Sequence, residues 1–202
     1  PIHEFIRIFE PELKIIDTPI FQRLRRIRQL AGAHLTYPGA QHTRFEHSLG
    51  VMHISGQAGQ ALQEKGILKK DDIENLRLAA LLHDIGHGPF SHLFEEILQE
   101  KRKISHEEIG KRIILKTEIG DSLSKSGYDK KFITKLAFGD SKLQFMNEII
   151  SGVLSADMMD YLLRDGYYTG AEHAKIDHKR LTQSLEVYQK KLALEKSALY
   201  SF

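Results

Sequence analysis

Cysteine is absent from the 202 residues, which excludes disulfides, thiolate metal ligands and a cysteine nucleophile. Any bound metal must therefore sit on histidine and carboxylate. Neither sign of charge is in excess: 29 Lys and Arg stand against 27 Asp and Glu, a formal charge of +2. Such a balance supplies no overall basic field of the kind that nucleic-acid binders use, although a local cluster could still exist. The sequence also lacks an apolar run of the ~20 residues that a membrane span needs, and it has no charged-then-apolar leader with a small-residue cleavage site. The expectation is a cytoplasmic protein with no membrane partner. Internal repeats, low-complexity tracts and Pro- or Ser-rich linkers are missing too, so no domain boundary is drawn.

Hydrophobic residues make up 41% and charged residues 28%, the ordinary range for a globular protein. A chain of this length can form one domain that buries roughly 70% of its unfolded surface, and a single domain over residues 1–202 is expected. The chain opens at Pro1 and stops at Ser201-Phe202 inside a helical pattern, so both ends look cut and a longer parent protein is expected.

Residues 2 to 9 alternate apolar and polar, which predicts a short N-terminal strand or hairpin. The remaining pattern is helical, and the fold class is all-α. Thr18-Pro19 marks a helix start, with Phe21, Leu24, Ile27 and Leu30 as its apolar stripe and Arg23, Arg25, Arg26 and Arg28 on a solvated face. Arg44 to Lys65 reads as a long helix ended by Gly66. The next helix, capped by Asp71 or Asp72, is apolar nearly all round through Leu82, as a buried central helix would be. Gly86, Gly88 and Pro89 break it, placing His83-Asp84 at its end and His87 in a tight loop. Ser105 and Glu108 form a capping box for a helix to about Leu115. Further helices are predicted from Asp129 to Phe138, Phe145 to Leu154, Ala156 to Arg164, and again over 178–202.

His83-Asp84 follows an apolar run, and burying two ionisable groups there is costly unless each finds a partner. A divalent cation is such a partner, because imidazole nitrogen and carboxylate oxygen both bind one at about 2.0 to 2.2 Å. A buried His bonded to an Asp in the core is the plain alternative for a lone pair of this kind. Other residues of the same chemistry weigh against it: His47 on the preceding helix, His87 and His92 after the doublet, His106-Glu107, and Asp157 at a later helix start. His3, His34, His42, His53, His173 and His178 stand apart and read as surface or structural residues.

Three segments carry a family resemblance. Arg44-Phe-Glu-His47-Ser-Leu-Gly, His83-Asp-Ile-Gly-His-Gly-Pro-Phe-Ser-His92 and Asp157-Met-Met-Asp-Tyr161-Leu-Leu-Arg-Asp165 are similar, in order and spacing, to the motifs of the HD superfamily. They most resemble the SAM-and-HD-domain deoxynucleoside triphosphate triphosphohydrolases and their microbial relatives, over residues 1 to about 170. The resemblance implies a helical HD domain with His47, His83, Asp84 and Asp157 as ligands of a divalent metal (Mn, Mg, Fe, Ni or Zn). It implies hydrolysis of a dNTP at the α-phosphorus, with His92 as the acid, Glu95 orienting it where relatives usually carry Asp, and His87, His106 and Glu107 completing the catalytic shell. For the substrate it implies Gln29 and Asp165 on the sugar 3′-hydroxyl, Leu30 and Tyr161 beside the ribose, and Arg44 on phosphate. Asp17, Gln22 and Arg25 resemble a guanine-nucleotide effector site that drives homo-oligomer assembly. Met158 departs from the pattern, standing where relatives place a phosphate-binding lysine.

Two alternatives stand beside this expectation. One keeps the metal and changes the substrate to another nucleotide or phosphoester. The other is a non-catalytic nucleotide sensor or single-stranded nucleic-acid binder with Arg23 to Arg28 as a basic strip. That strip has no interleaved stacking aromatic beyond Phe21, which argues against the second alternative.

Overall fold

The computed structural model describes residues 2–171, 176–196 and 198; the side chain of His92 also lies outside the described set, as does His173. Among the described residues the regular elements are helices, joined by loops, with one C-terminal hairpin and an isolated bridge between Arg28 and Thr43. In order, the helices are α1 Glu10–Ile16, α2 Pro19–Gln22, α3 Arg44–Glu64, α4 Lys70–Leu82, α5 His92–Arg102, α6 His106–Lys116, α7 Glu118–Lys125, α8 Lys130–Ala137, α9 Gln144–Ile150, α10 Ala156–Thr169 and α11 His178–Gln183. Two 3₁₀ turns, Arg23–Arg26 and Ala33–Leu35, lie between α2 and α3. The hairpin pairs β1 Leu185–Tyr188 with β2 Lys191–Leu194 in antiparallel register, Leu185 opposite Leu194. No helix among the described residues is long and apolar enough to cross a membrane.

The frame is α3 packed along α4 and α10. On α4, Leu76, Leu78, Leu81 and Leu82 are fully buried, and each such side chain contributes roughly 1.5 to 3 kcal/mol of burial free energy. Polar residues on this frame are consequently held inside rather than shed to solvent. The α3 start is fixed by a capping box in which Thr43 N–H donates to Glu46 Oε2 at 2.5 Å. Its end is fixed by Gly66 at φ 73°.

Three expectations are corrected. Residues 2–9 form no strand: the backbone bends at His3 and Glu4 (φ 54° at Glu4), and His3 turns inward. The helix predicted from Pro19 to Leu30 stops at Gln22 and tightens to 3₁₀ before Ile27 becomes extended. There Arg44 N–H donates to Ile27 O at 2.9 Å and Gln29 N–H to His42 O at 3.1 Å. Pairing with the segment before α3 replaces helical bonds and swings Gln29 and Leu30 inward. From Leu185 to Leu194, extended pairing replaces the predicted helix, because Gln189 and Lys190 both take positive φ (50° and 66°) and turn the chain as a two-residue hairpin requires; residues 197 and 199–202 of that expectation lie outside the described residues. Lys65 anchors this hairpin, donating to Leu185 O at 2.9 Å, Glu186 Oε1 at 2.7 Å and Glu195 Oε1 at 2.8 Å.

Candidate metal centre

The first turn of α3 supplies Arg44 and His47, the end of α4 supplies His83 and Asp84, and the first turn of α10 supplies Asp157. The loop after α4 is held from two sides. Gly86 lets it sit against the start of α6, since a Cβ there would lie 1.9 Å from His106 O. Arg23, expected on a solvated face, instead turns inward and donates to His87 O at 2.7 Å and to Ile85 O. Arg25, Arg26 and Arg28 are exposed as predicted.

His47, His83 and Asp84 are all buried, and each offers an atom within 4.8 Å of the others. His47 Nε2 lies 3.7 Å from Asp84 Oδ2 and 3.0 Å from Asp157 Oδ1. His83 Nε2 lies 3.5 Å from Asp84 Oδ1 and 3.9 Å from Asp157 Oδ1. Two ligands bound at about 2.1 Å to one tetrahedral or octahedral ion sit about 3 to 3.5 Å apart, close to these spacings. His83 Nε2 is buried without a hydrogen-bond partner, an arrangement that would be costly in a purely structural core, and His47 Nε2 has only the Asp157 carboxylate within reach.

The opposite ring nitrogens explain why. His47 Nδ1 donates to Asp160 Oδ2 at 2.8 Å, and His83 Nδ1 donates to Ala80 O at 2.7 Å. With Nδ1 of each ring committed to its acceptor, Nε2 is the atom both rings turn toward the same point, where a bound cation would take the place of a proton, the arrangement that outer-shell acceptors impose on metal-binding histidines. The residues therefore fit a divalent cation. Asp160, fully buried, also accepts from His3 Nε2 at 2.6 Å and from Arg164 Nε and Nη2, each at 2.8 Å. It occupies space left by Gly50, where a Cβ would meet Asp160 Oδ1 at 1.8 Å.

Electrostatics point the same way. Burial would depress the His47 imidazole, but the adjoining Asp157, Asp160 and Asp84 carboxylates push it up to about 10. Burial likewise opposes ionisation of Asp84, yet His83, Arg44 and His87 hold it well below the usual carboxylate range. The cluster demands positive charge at its centre. His87, depressed mainly by burial, stacks on His106 with centroids 3.9 Å apart and ring planes 17° apart.

A cavity of about 560 Å³ opens over the cluster. Its wall includes His83, Asp84 and Asp157 of the expected ligands, His87, His106 and Glu107 of the expected catalytic shell, and Gln29, Leu30, Arg44, Tyr161 and Asp165 of the expected substrate contacts. Arg44 donates to Asp84 Oδ2 and, through Nε at 3.1 Å, to Ser91 Oγ. Phe90 and Ser91 both hold positive φ, 61° and 48°, a strained geometry that clusters at functional sites. Glu95 on α5 accepts from His106 Nδ1 at 2.6 Å, a contact the sequence does not announce. His92, expected to be oriented by Glu95, has its side chain outside the described residues. Met158 packs against the hydrophobic core and does not line the cavity. Asp17, Gln22 and Arg25 lie away from the cavity: Asp17 is exposed, and Arg25 donates to Gln22 Oε1 at 2.7 Å while its guanidinium covers the Phe45 ring, 3.6 Å from its centroid.

Sequence reasoning did not single out Asp160, Arg164, His3 or His42. The first two were open to detection, because an Asp and an Arg at i, i+4 on one helix form a pair. The other two reach their partners only through the tertiary fold.

The model of the HD domain family matches residues 44–164. An uncharacterized protein of Methanocaldococcus jannaschii is 42% identical over 188 residues, covering 93% of this chain and 37% of that protein. The deoxynucleoside triphosphate triphosphohydrolase SAMHD1 of Danio rerio is 38% identical over 164 residues, covering 79% of this chain and 26% of the relative. Among solved structures, a phosphohydrolase of Bacteroides thetaiotaomicron superposes with a TM-score of 0.86 at 35% identity, covering 100% of this chain and 49% of that one. A hypothetical protein of Aquifex aeolicus gives 0.88 at 40% identity, covering 99% and 53%. The chain thus spans about half or less of these relatives. Matched motifs, helical frame and converging ligand atoms lead to one conclusion: the chain belongs to the HD domain family, whose members bind a divalent metal ion.

Proposed function

We propose that this protein is a metal-dependent phosphohydrolase that cleaves deoxynucleoside triphosphates to deoxynucleoside and intact triphosphate. The observation that carries this reading is one cavity with a cation-demanding cluster and Arg44 on its wall together with Gln29 and Asp165. Its volume of about 560 Å³ falls in the range that accommodates small ligands. In the reaction, water forms a bond to the α-phosphorus, the bond to the 5′ oxygen breaks, and that oxygen takes up a proton.

His47, His83, Asp84 and Asp157 would hold the metal. When bound, the ion lowers the pKa of water and offsets charge on the phosphoryl oxygens. Arg44 holds Asp84 in place and presents its charge to the phosphate, while His87, His106 and Glu107 face the reacting phosphorus. His92 donates the proton to the departing 5′ oxygen, the role that converts a poor leaving group into a neutral alcohol. Glu95 orients that acid and, through its bond to His106, fixes the opposite wall. Gln29 and Asp165 hold the sugar 3′-hydroxyl, and Leu30 and Tyr161 flank the ribose.

Asp17 and Arg25, both exposed, with the half-buried Gln22 between them, form a guanine-nucleotide effector site that favours a homo-oligomer in the cytoplasm. Arg25 lies over Phe45, the chain neighbour of Arg44, so this surface adjoins the catalytic helix. Incubating the purified protein with mixed dNTPs and Mn²⁺, followed by product identification, tests the reading. Free triphosphate and deoxynucleoside are expected; no turnover of any dNTP contradicts it.

Met158 favours a second reading. Because it joins the core, the cavity lacks a lysine at that position, which suits a nucleotide with fewer phosphates. Release of inorganic phosphate instead of triphosphate would select this alternative.

A further inference from the structure

His42 lies in the loop before α3, outside every motif quoted above, yet it is only 2% exposed. Its Nε2 donates to Asp165 Oδ1 at 2.7 Å. Its own carbonyl accepts the Gln29 N–H at 3.1 Å. One residue thus touches both members of the pair at the sugar end of the cavity, through its side chain to one and its backbone to the other. The ring is fixed in place by stacking on Tyr168, with centroids 4.7 Å apart and planes 20° apart. Nδ1 is buried and has no hydrogen-bond partner, so Nε2 is the ring atom through which His42 is held.

Consider what Asp165 would do without this contact. Its side chain is 24% exposed, and a carboxylate at a cavity wall samples several rotamers. The His42 bond occupies Oδ1 and sets the plane of the carboxylate, leaving Oδ2 to accept from a ligand. Across from it, Gln29 lines the same cavity with a buried Oε1 that has no hydrogen-bond partner. A fixed carboxylate and an unsatisfied amide oxygen on one cavity wall are both acceptors that call for a donor, which a hydroxyl supplies.

We infer that His42 is a positioning residue that gives the site its preference for a substrate with a free sugar 3′-hydroxyl. This rests on the proposed deoxynucleotide reading and adds to it a residue that acts on substrate choice through Asp165 and Gln29. Sites built to hydrogen-bond a hydroxyl discriminate strongly against the analogue that lacks it, because their buried polar groups are then left unpaired. Loss of the buttress should therefore act on the hydroxyl-bearing substrate alone.

The test compares kcat/KM for a dNTP and the matching 2′,3′-dideoxy analogue in wild type, His42→Phe and His42→Gln. Phe keeps the stack on Tyr168 but cannot donate, whereas the Gln amide places a donor where Nε2 was. The dNTP preference should fall roughly tenfold in His42→Phe, the loss of about one hydrogen bond to a charged group, through slower dNTP turnover with the dideoxy rate unchanged. His42→Gln should restore most of it. If His42→Phe does not fold, His42→Asn, whose amide reaches only the Nδ1 position, takes its place with the same expectation. A preference unchanged in these variants, equal loss on both substrates, or failure of Gln to rescue would overturn the inference. So would a wild type that does not distinguish the two substrates. A wild type that turns over no dNTP at all contradicts the proposed function itself, and this inference with it.

Discussion

His47 donates its Nδ1–H to Asp160 across 2.8 Å, and that bond decides which ring nitrogen faces Asp84 and Asp157. Asp160 is in turn saturated by His3 and Arg164, so the acceptor is rigid. Asp160→Asn preserves the shape but removes the charge and turns an amide toward donors. Outer-shell changes of this kind weaken metal binding roughly 10- to 100-fold. Calorimetric titration of Mn²⁺ into metal-free protein should show that loss; a lower melting temperature with unchanged affinity would mean that Asp160 is only structural.

Gly50→Ala tests the same network from the opposite helix. Its Cβ would fall 1.8 Å from Asp160 Oδ1 and 2.7 Å from Arg164 Nη2, and Asp160 has no free direction in which to yield. Overpacking of this kind costs about 1 to 3 kcal/mol, which for a chain of this size lowers the melting temperature by about 5 °C. Mn²⁺ affinity should fall in parallel. A variant as stable and as tight as wild type would show that the two helices separate more easily than their packing suggests.

A pH dependence follows from His53. Burial, then the charges of His3, Arg77 and His178, lower its imidazole to about 4. The unfolded chain protonates this side chain near pH 6.5 and the folded chain only near 4, so between these values the unfolded state binds more protons and stability rises with pH. The contribution is complete above about pH 6.5 and is lost as the pH falls toward 4. His53→Gln removes the titration, so its urea midpoint should change less between pH 7 and pH 4.5 than that of wild type. Equal changes in both proteins would assign the acid sensitivity to other groups.

Much of this was legible in the sequence because it is local. The Thr18 cap, the α3 limits at Arg44 and Gly66, the buried α4 and the break at Gly86 all follow from residues close to one another in the chain. The His83-Asp84 doublet alone left a plain core pair open, and the candidate ligand set of His47, His83, Asp84 and Asp157 came from the resemblance of three motifs; the structure brings His47, His83 and Asp84 together. The missed features are long-range. Ile27 leaves the helix because a segment fifteen or more residues later offers it a bridge partner, and periodicity cannot register that. His3 and His42 gain their roles only when α10 is brought beside them, and neither Asp160 nor Asp165 is near them in sequence. Arg23 read as solvated because the carbonyls it caps, at Ile85 and His87, belong to a loop more than sixty residues away.

The convergence of His47, His83, Asp84 and Asp157 on one ion is the claim on which the rest depends. A crystal soaked in Mn²⁺ and measured at the manganese absorption edge tests it directly. One anomalous peak is expected within about 2.3 Å of His47 Nε2, His83 Nε2 and a carboxylate oxygen of both Asp84 and Asp157, and it should vanish in Asp84→Ala. No peak at that point, with the four side chains still in place, would contradict the account.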